Sequence, residues 1–322
     1  MRALIATLFT VALALGFAAQ AADYPVKPIR VLVPYSPGGA VDTSTRILTN
    51  KLVERLGWTI IVDNRPGGNG FIAVGIASRA NADGYTLLSA HTGEFAVSPF
   101  VFKGVPFDLD RDFDTITMLS DAPMAIVVNS KSPIGSLKDL IAMAKAKPGH
   151  ITFGSPGTGS VNRLATEWLA VAAGIKLLHV PYKGGAPAVA AVASNEVMLT
   201  IAAIPGVTPH LQAGRVRVIG VTTAKRSPQV PNFPTAQEGG VPELDASIWV
   251  GLFAPKGTPK SIVNRIYKES VEVLKLPEVK ARYASVAAAE TIGMPPAAFH
   301  TRVKKDAERY KRIIQQVGIK PQ

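Results

Sequence analysis

The chain has 322 residues, 47% of them hydrophobic and 18% charged, a globular composition long enough for one large core or two medium ones. It contains no cysteine, which excludes disulfides, thiol nucleophiles, iron–sulfur clusters and cysteine zinc sites together. The formal charge is +12, but the basic residues are scattered and not interleaved with aromatics, so they read as a solvated surface and not as a nucleic-acid interface.

The first segment, MRALIATLFTVALALGFAAQA, has a basic start at Arg2, an apolar run from Ala3 to Ala18 and the small-residue motif Ala19-Gln20-Ala21. This layout predicts a signal peptide over 1–21, cut before Ala22. No later segment approaches the roughly 20 apolar residues of a spanning helix. Without a cysteine after the cleavage site there is no lipid anchor, so a freely soluble, exported, monomeric protein is expected.

From Ile29 onward, short β-rich runs alternate with helical ones, the signature of βαβ units. IRVLVPY reads as a buried strand and VDTSTRILTNKLVERLG as a helix closed by Gly57. TIIVDN, YTLLSA, MAIVVNS, ITFGS, KLLHVPY, VMLTIAA and VRVIGVTT read as further strands, with HTGEFAVSP as a loop after the YTLLSA strand. Helices are predicted at GFIAVGIASRA, SLKDLIAMAKAKPG, GSVNRLATEWLAVAAG, GAPAVAAVASN and VTPHLQAGR. The Pro- and Gly-rich stretch AKRSPQVPNFPTAQEGGVPEL reads as a surface connection. It leads to a strand, SIWVGLFAP, and three closing helices.

A quasi-repeat suggests two lobes. Strand-SPGG-helix at 29–48 is echoed by strand-SPGTGS-helix at 151–173. MAIVVNS and SIWVGLFAP stand where one series stops and another begins, as crossings between lobes would. The boundaries expected are 22–125 plus 249–322 for one lobe and 126–248 for the other.

Both glycine loops lead into helix N-termini, where unpaired N–H groups and the helix dipole attract anions. Neither is a nucleotide loop: SPGGAVD lacks G-x-G-x-x-G, and GSPGTGSVN lacks the lysine of a phosphate loop. Gly38 and Gly39 in the first loop are expected to face Gly157 and Gly159 in the second, the latter adding the hydroxyls of Ser155, Thr158 and Ser160. Either loop alone could be an ordinary tight turn; the pair favours a carboxylate clamp. Asp42, early in the first helix, reads equally as a dipole-complementing cap and as support for a ligand.

Catalysis finds little footing. There is no G-x-S-x-G elbow, and the five histidines show no metal-ligand spacing, so neither a metal nor any other cofactor is expected. His91 beside Glu94 reads as a polar pocket wall before it reads as an acid–base pair.

The motifs YPVKPIRVLVPYSPGGAVD, DNRPGGNG, NADGYTLL, SPGTGS, HVPYKGGAPA, TPHLQAGRVRVIGVTTAKRSP and WVGLFAPKGTP, in this order, resemble those of the Bug-type receptors. These are the extracytoplasmic solute-binding proteins of tripartite tricarboxylate transporters, and the resemblance runs from Asp23 to Ile319. It implies an α/β, type II periplasmic-binding-protein fold: two α/β lobes joined by two crossing strands, with a ligand cleft between them. It implies a small carboxylate ligand, no catalysis, and docking on separate permease subunits; presentation of the ligand to a sensor kinase is the alternative. By the same resemblance, Tyr35, Ser36, Gly38, Gly39 and Asp42 would grip one carboxylate with Ser155, Thr158, Gly159, Ser160 and Asn162. Ala90, His91, Thr92, Ala202 and Ala203 would reach the distal end. Three features are this chain's own: Ile201-Ala202-Ala203 where relatives often have Phe-Asp-Asn, His91 with Glu94, and Arg163 where a histidine is common. Without an acidic partner for an amino group, a dicarboxylate or aromatic carboxylate is expected ahead of an amino acid.

Overall fold

A computed structural model describes residues 24–321 apart from 158 and 183. The signal peptide predicted over 1–21, and Thr158, lie outside the described residues. The strands are β1 (Ile29–Val33), β2 (Ile60–Asn64), β3 (Thr86–His91), β4 (Phe113–Asn129), β5 (Thr152–Ser155), β6 (Leu178–Pro181), β7 (Leu199–Ala203), β8 (Val216–Val221), β9 (Ser247–Pro255) and β10 (Glu290–Met294).

Their pairing builds two sheet halves that share one strand. The main order is β2-β1-β3-β9-β4-β7-β5-β6, with β8 and β10 also paired to β4. β1 runs parallel to β2 and β3, as βαβ units require, and β9 runs antiparallel to β3. In β4, residues 113–123 pair with β9, and residues 124–129 pair with β7 and β8. The handover falls at Pro123, a residue that cannot donate to a ladder and suits the point where one ladder gives way to another. This is the two-lobe α/β fold of the periplasmic binding proteins.

Side-chain alternation explains why each half is covered on both faces. Val31 and Val33 point into a core with Leu48, Leu52 and Ile266, whereas Leu32 joins Phe95, Phe253 and Phe299 on the other face. Along the second part of β4, Met124, Ile126 and Val128 face one core while Ala125 and Val127 face another.

The helix predicted after β1 is α1 (Ala40–Leu56), closed by Gly57 in the left-handed region at φ 66°. Only glycine takes that conformation at little cost. Helices α2 (Phe71–Ser78), α3 (Ser98–Val101), α4 (Leu137–Ala146), α5 (Val161–Ala173), α6 (Gly185–Ala193), α7 (Ile204–Gln212), α8 (Lys260–Leu274), α9 (Pro277–Arg282) and α10 (Pro296–Gln316) follow. α10 serves both halves. Phe299 and Val303 pack in the first, and Tyr310, Ile313 and Ile314 in the second.

Three expectations need correction. HTGEFAVSP is not a loop: a π-helical turn (Gly93–Val97) runs into α3, and Ala96, Val97 and Val101 are buried in the core of the other half. The strand expected from Met124 begins at Phe113, because Thr115, Thr117 and Ser120 are buried and find partners within the sheet and across it. β10 was not expected at all; its partner is β4, more than 160 residues away, so local pattern could not disclose it. Among the described residues, no helix is long and apolar enough to cross a membrane.

Candidate ligand-binding site

A cavity of about 330 Å³ opens between the two halves. Tyr35, Asn69, His91, Gly93, Ser98 and Phe102 form its wall on the first half. Pro156, Gly157, Gly159, Ser160, Val161 and Asn162 form the opposite wall. The volume falls in the range of small-ligand sites.

The second wall is a helix N-terminus held in place by its own side chains. Ser160 is the N-cap of α5: its Oγ accepts the Arg163 N–H at 3.2 Å and donates to Gly157 O at 2.9 Å. Ser155 Oγ lies 3.0 Å from Gly157 O and 2.7 Å from His179 Nε2, pinning the loop from below. Asn162 Nδ2 donates to Ile201 O at 3.0 Å, tying the helix start to β7. Val161 and Asn162 are the first two helical residues, whose N–H groups have no intrahelical acceptor.

The first wall carries the charge. Glu94 is fully buried behind it. It accepts from the Tyr35 hydroxyl and from the His91 N–H at 2.8 Å, and its Oε2 lies 2.8 Å from His91 Nδ1. Burial disfavours the His91 imidazolium, but the Glu94 charge and hydrogen bond outweigh it and raise the His91 pKa. Burial likewise opposes the Glu94 carboxylate, yet His91 and Tyr35 hold its pKa below the usual range. Burial and then the Glu94 charge push the Tyr35 phenol well up, so it remains a neutral donor.

Residues 44–319 match the Tripartite tricarboxylate transporter family receptor, TctC. The chain belongs to this receptor family. BugT of Bordetella pertussis is 33% identical over 304 residues, covering 94% of this chain and 92% of that protein. The R. palustris protein Rpa4515 with adipate superposes with a TM-score of 0.85 at 31% identity, over 93% of this chain and all of that one. MatC from Rhodopseudomonas palustris with bound malate gives 0.78 at 26% identity, over 90% of this chain and all of that one. The family is one of solute-binding receptors.

In this receptor, six of the residues singled out in the sequence stand on the cavity wall: Tyr35, His91, Gly157, Gly159, Ser160 and Asn162. Ser36, Gly38 and Gly39 lie exposed at the first glycine loop and off that wall. The Gly38 N–H is taken by Asp42 Oδ2 at 2.8 Å, while Asp42 Oδ1 accepts from Arg46 Nε and Asn64 Nδ2, each at 2.9 Å. Asp42 therefore braces the loop. Ala90 is buried in β3, and Thr92 links the end of β3 to β9 by accepting the Trp249 N–H at 3.1 Å. Ser155 lies beneath the second wall. Arg163 reaches back to Glu167 at 3.4 Å, and Ala202 and Ala203 end β7 away from the wall.

Sequence reasoning missed Asn69, Ser98 and Phe102 as wall residues. Asn69 had a signal: it sits in PGGNG and takes a left-handed φ of 56°, a conformation Asn tolerates better than most residues. The loop reading of 91–99 hides Ser98, and Phe102, three residues beyond it, belongs to no motif.

Proposed function

We propose that this receptor captures a small carboxylate outside the cytoplasm and presents it to the membrane subunits of a tripartite tricarboxylate transporter. The observation that carries the reading is the start of α5 opening onto a cavity whose far wall holds His91. One carboxylate would sit on the Val161 and Asn162 N–H groups beside Ser160, where the helix dipole favours an anion. The other end of the ligand would meet His91 and Tyr35. No carboxylate on the wall is left to pair with an amino group, since Glu94 is committed to His91 and Tyr35. A dicarboxylate is therefore favoured over an amino acid, in keeping with the adipate and malate held by the two R. palustris relatives.

A ligand touching both walls binds the closed arrangement better than an open one, which drives closure. The lobes we assign are 22–125 with 249–322 and 126–248, hinged where β4 changes sheets and where Thr222 meets Ala246. There the Thr222 hydroxyl donates to Ala246 O at 2.6 Å and accepts the Met124 N–H at 3.1 Å. Ser36, Gly38 and Gly39 would form the lip around the bound acid, with Asp42, Ala90, Thr92 and Ser155 as its supports. Export through residues 1–21 places a monomeric receptor in the periplasm.

Isothermal titration of the mature protein tests this reading. Malate, adipate, benzoate, glutamate and aspartate form the panel. Binding of a dicarboxylic or aromatic acid, with the amino acids silent, is expected. Tight binding of glutamate or aspartate alone, or no response to any acid, would overturn it.

A further inference from the structure

Most polar side chains on the cavity wall already have partners within the protein. Tyr35 donates to Glu94, the Gly93 N–H donates to His91 Nδ1 at 2.9 Å, Ser160 both donates and accepts at the start of α5, and Asn162 donates to Ile201 O. Ser98 and Asn69 stand on the same wall, and among the described residues neither side chain has a hydrogen-bond partner. Ser98 is only 4% exposed. It follows directly on the π-helical turn Gly93–Val97, a feature frequent at functional sites, and its neighbours Ala96, Val97 and Val101 are buried in apolar core. A hydroxyl in such surroundings is costly unless something bonds it. Asn69 sits in a run of left-handed backbone: φ is 116° at Gly67, 55° at Gly68, 56° at Asn69 and 88° at Gly70. Glycine would take the Asn69 conformation without strain, so what asparagine adds there is its amide. Close packing holds this loop in place, since a Cβ on Gly70 would stand 2.9 Å from Glu94 Oε1 and 3.2 Å from Pro34 Cβ.

Resting on the carboxylate reading of the cavity, we propose that Ser98 and Asn69 recognise a hydroxyl on the ligand's carbon chain, which makes this a receptor for small hydroxycarboxylates. A serine hydroxyl and an asparagine amide each donate and accept, as a ligand hydroxyl does. Neither carries a charge to offset the desolvation of a carboxylate, so a neutral polar group is their match. The charged ends of the ligand are left to the start of α5 and to His91. A ligand methylene in the same place would expel water from Ser98 and return no hydrogen bond, which is how a buried polar group discriminates between a hydroxylated ligand and its deoxy analogue.

Malate and succinate share their chain length and both carboxylates and differ by one hydroxyl, so their affinity ratio isolates that group. In wild-type protein titrated with each, malate should bind about tenfold more tightly or better. Ser98→Ala should bring the two affinities close together. Asn69→Gly keeps the left-handed backbone, removes the side chain and should lower the malate-to-succinate ratio severalfold. Thermal melts accompany the titrations: Ser98→Ala removes a hydroxyl without a protein partner and should leave the melting temperature level or raise it. A less stable Ser98→Ala would reveal a structural hydrogen bond and overturn the assignment. Equal or tighter succinate binding in wild type, or a ratio unchanged by either substitution, overturns it as well. A wild type that binds adipate or benzoate but neither malate nor succinate overturns the hydroxyl assignment alone. Silence towards all four acids overturns the carboxylate reading and this assignment with it.

Discussion

The ring of Phe102 occupies the space that a side chain on Gly159 would need. A Cβ there would stand 2.5 Å from Phe102 Cζ and 3.2 Å from Val101 Cγ2, so the absence of a side chain on one wall lets the aromatic ring of the other wall approach its backbone. Phe102 is itself held edge-on by Phe71, with centroids 5.5 Å apart, and cannot swing away freely. Gly159→Ala should therefore cost about 1–3 kcal/mol through overpacking and weaken adipate binding. Phe102→Ala in the same chain should restore stability. Thermal melts and titration of the three variants check this; an innocuous Gly159→Ala would show that the two walls part easily.

Asp42 braces the first glycine loop through one backbone and two side-chain donors. Burial opposes its charge, but hydrogen bonds from Gly38, Asn64 and Arg46 and the Arg46 charge together hold its pKa below 3.8. A depressed carboxylate contributes stability above its unfolded pKa and loses it as pH falls through the folded one. Asp42→Ala should destabilise by about 1–3 kcal/mol at neutral pH, with the difference from wild type shrinking in acid. Urea unfolding at about pH 7 and about pH 3 measures both; equal penalties at the two values would refute the charge-based account.

Asp121 stands where β4 leaves the first sheet. Its Oδ1 is buried without a partner, and Oδ2 meets Arg302 at 3.3 Å. Burial raises its pKa to about 6 despite the Arg302 charge. A raised carboxylate binds more protons folded than unfolded, so stability falls as pH climbs from about 4 to about 6. A fifth of the side chain still meets solvent, so screening reduces the effect to roughly 1–2 kcal/mol. Asp121→Asn should stabilise the protein near pH 7.5 and matter little near pH 4. A melting temperature lowered at both would mean that the Arg302 pair, and not desolvation, dominates.

His179 works in the opposite sense. Burial and then the Arg163 charge lower its pKa to about 4, so it stays neutral against Ser155 under the second glycine loop. The stability it contributes is complete above 6.5 and lost as pH falls towards about 4. His179→Gln should flatten the stability profile across that window while leaving the Asp121 contribution in place. Calorimetric scans in steps of pH separate the two; an unaltered profile would assign the acid sensitivity elsewhere.

Much of the architecture was legible because it depends on neighbours in sequence. The apolar run of β1, the buried stripe Val41, Leu48 and Leu52 of α1 and the left-handed Gly57 at its end are local signals. So are both glycine loops and the Ser160 cap. The failures share a cause. Residues 91–99 read as a polar loop because Gly93, Glu94 and Ser98 punctuate them, but Ala96 and Val97, with Val101 just beyond, are drawn into a core supplied by the other half of the chain. Residues 113–123 carry Asp114, Asp121 and Pro123, which weaken a strand signal; pairing with β9 supplies the ladder that overrides it.

The sequence by itself determined the class of the molecule: an α/β receptor with two echoed glycine loops, each leading into a helix. Periodicity and turn chemistry act over a few residues and survive without tertiary context. Tertiary structure alone decided which loop faces the cavity and in what state. The start of α5 lines it, whereas the Gly38 N–H is taken by Asp42. It also decided that Glu94 is buried behind His91 and Tyr35, and that Phe102 closes against Gly159. Burial and hydrogen-bond satisfaction belong to the folded assembly, and a group's charge and reach follow from them.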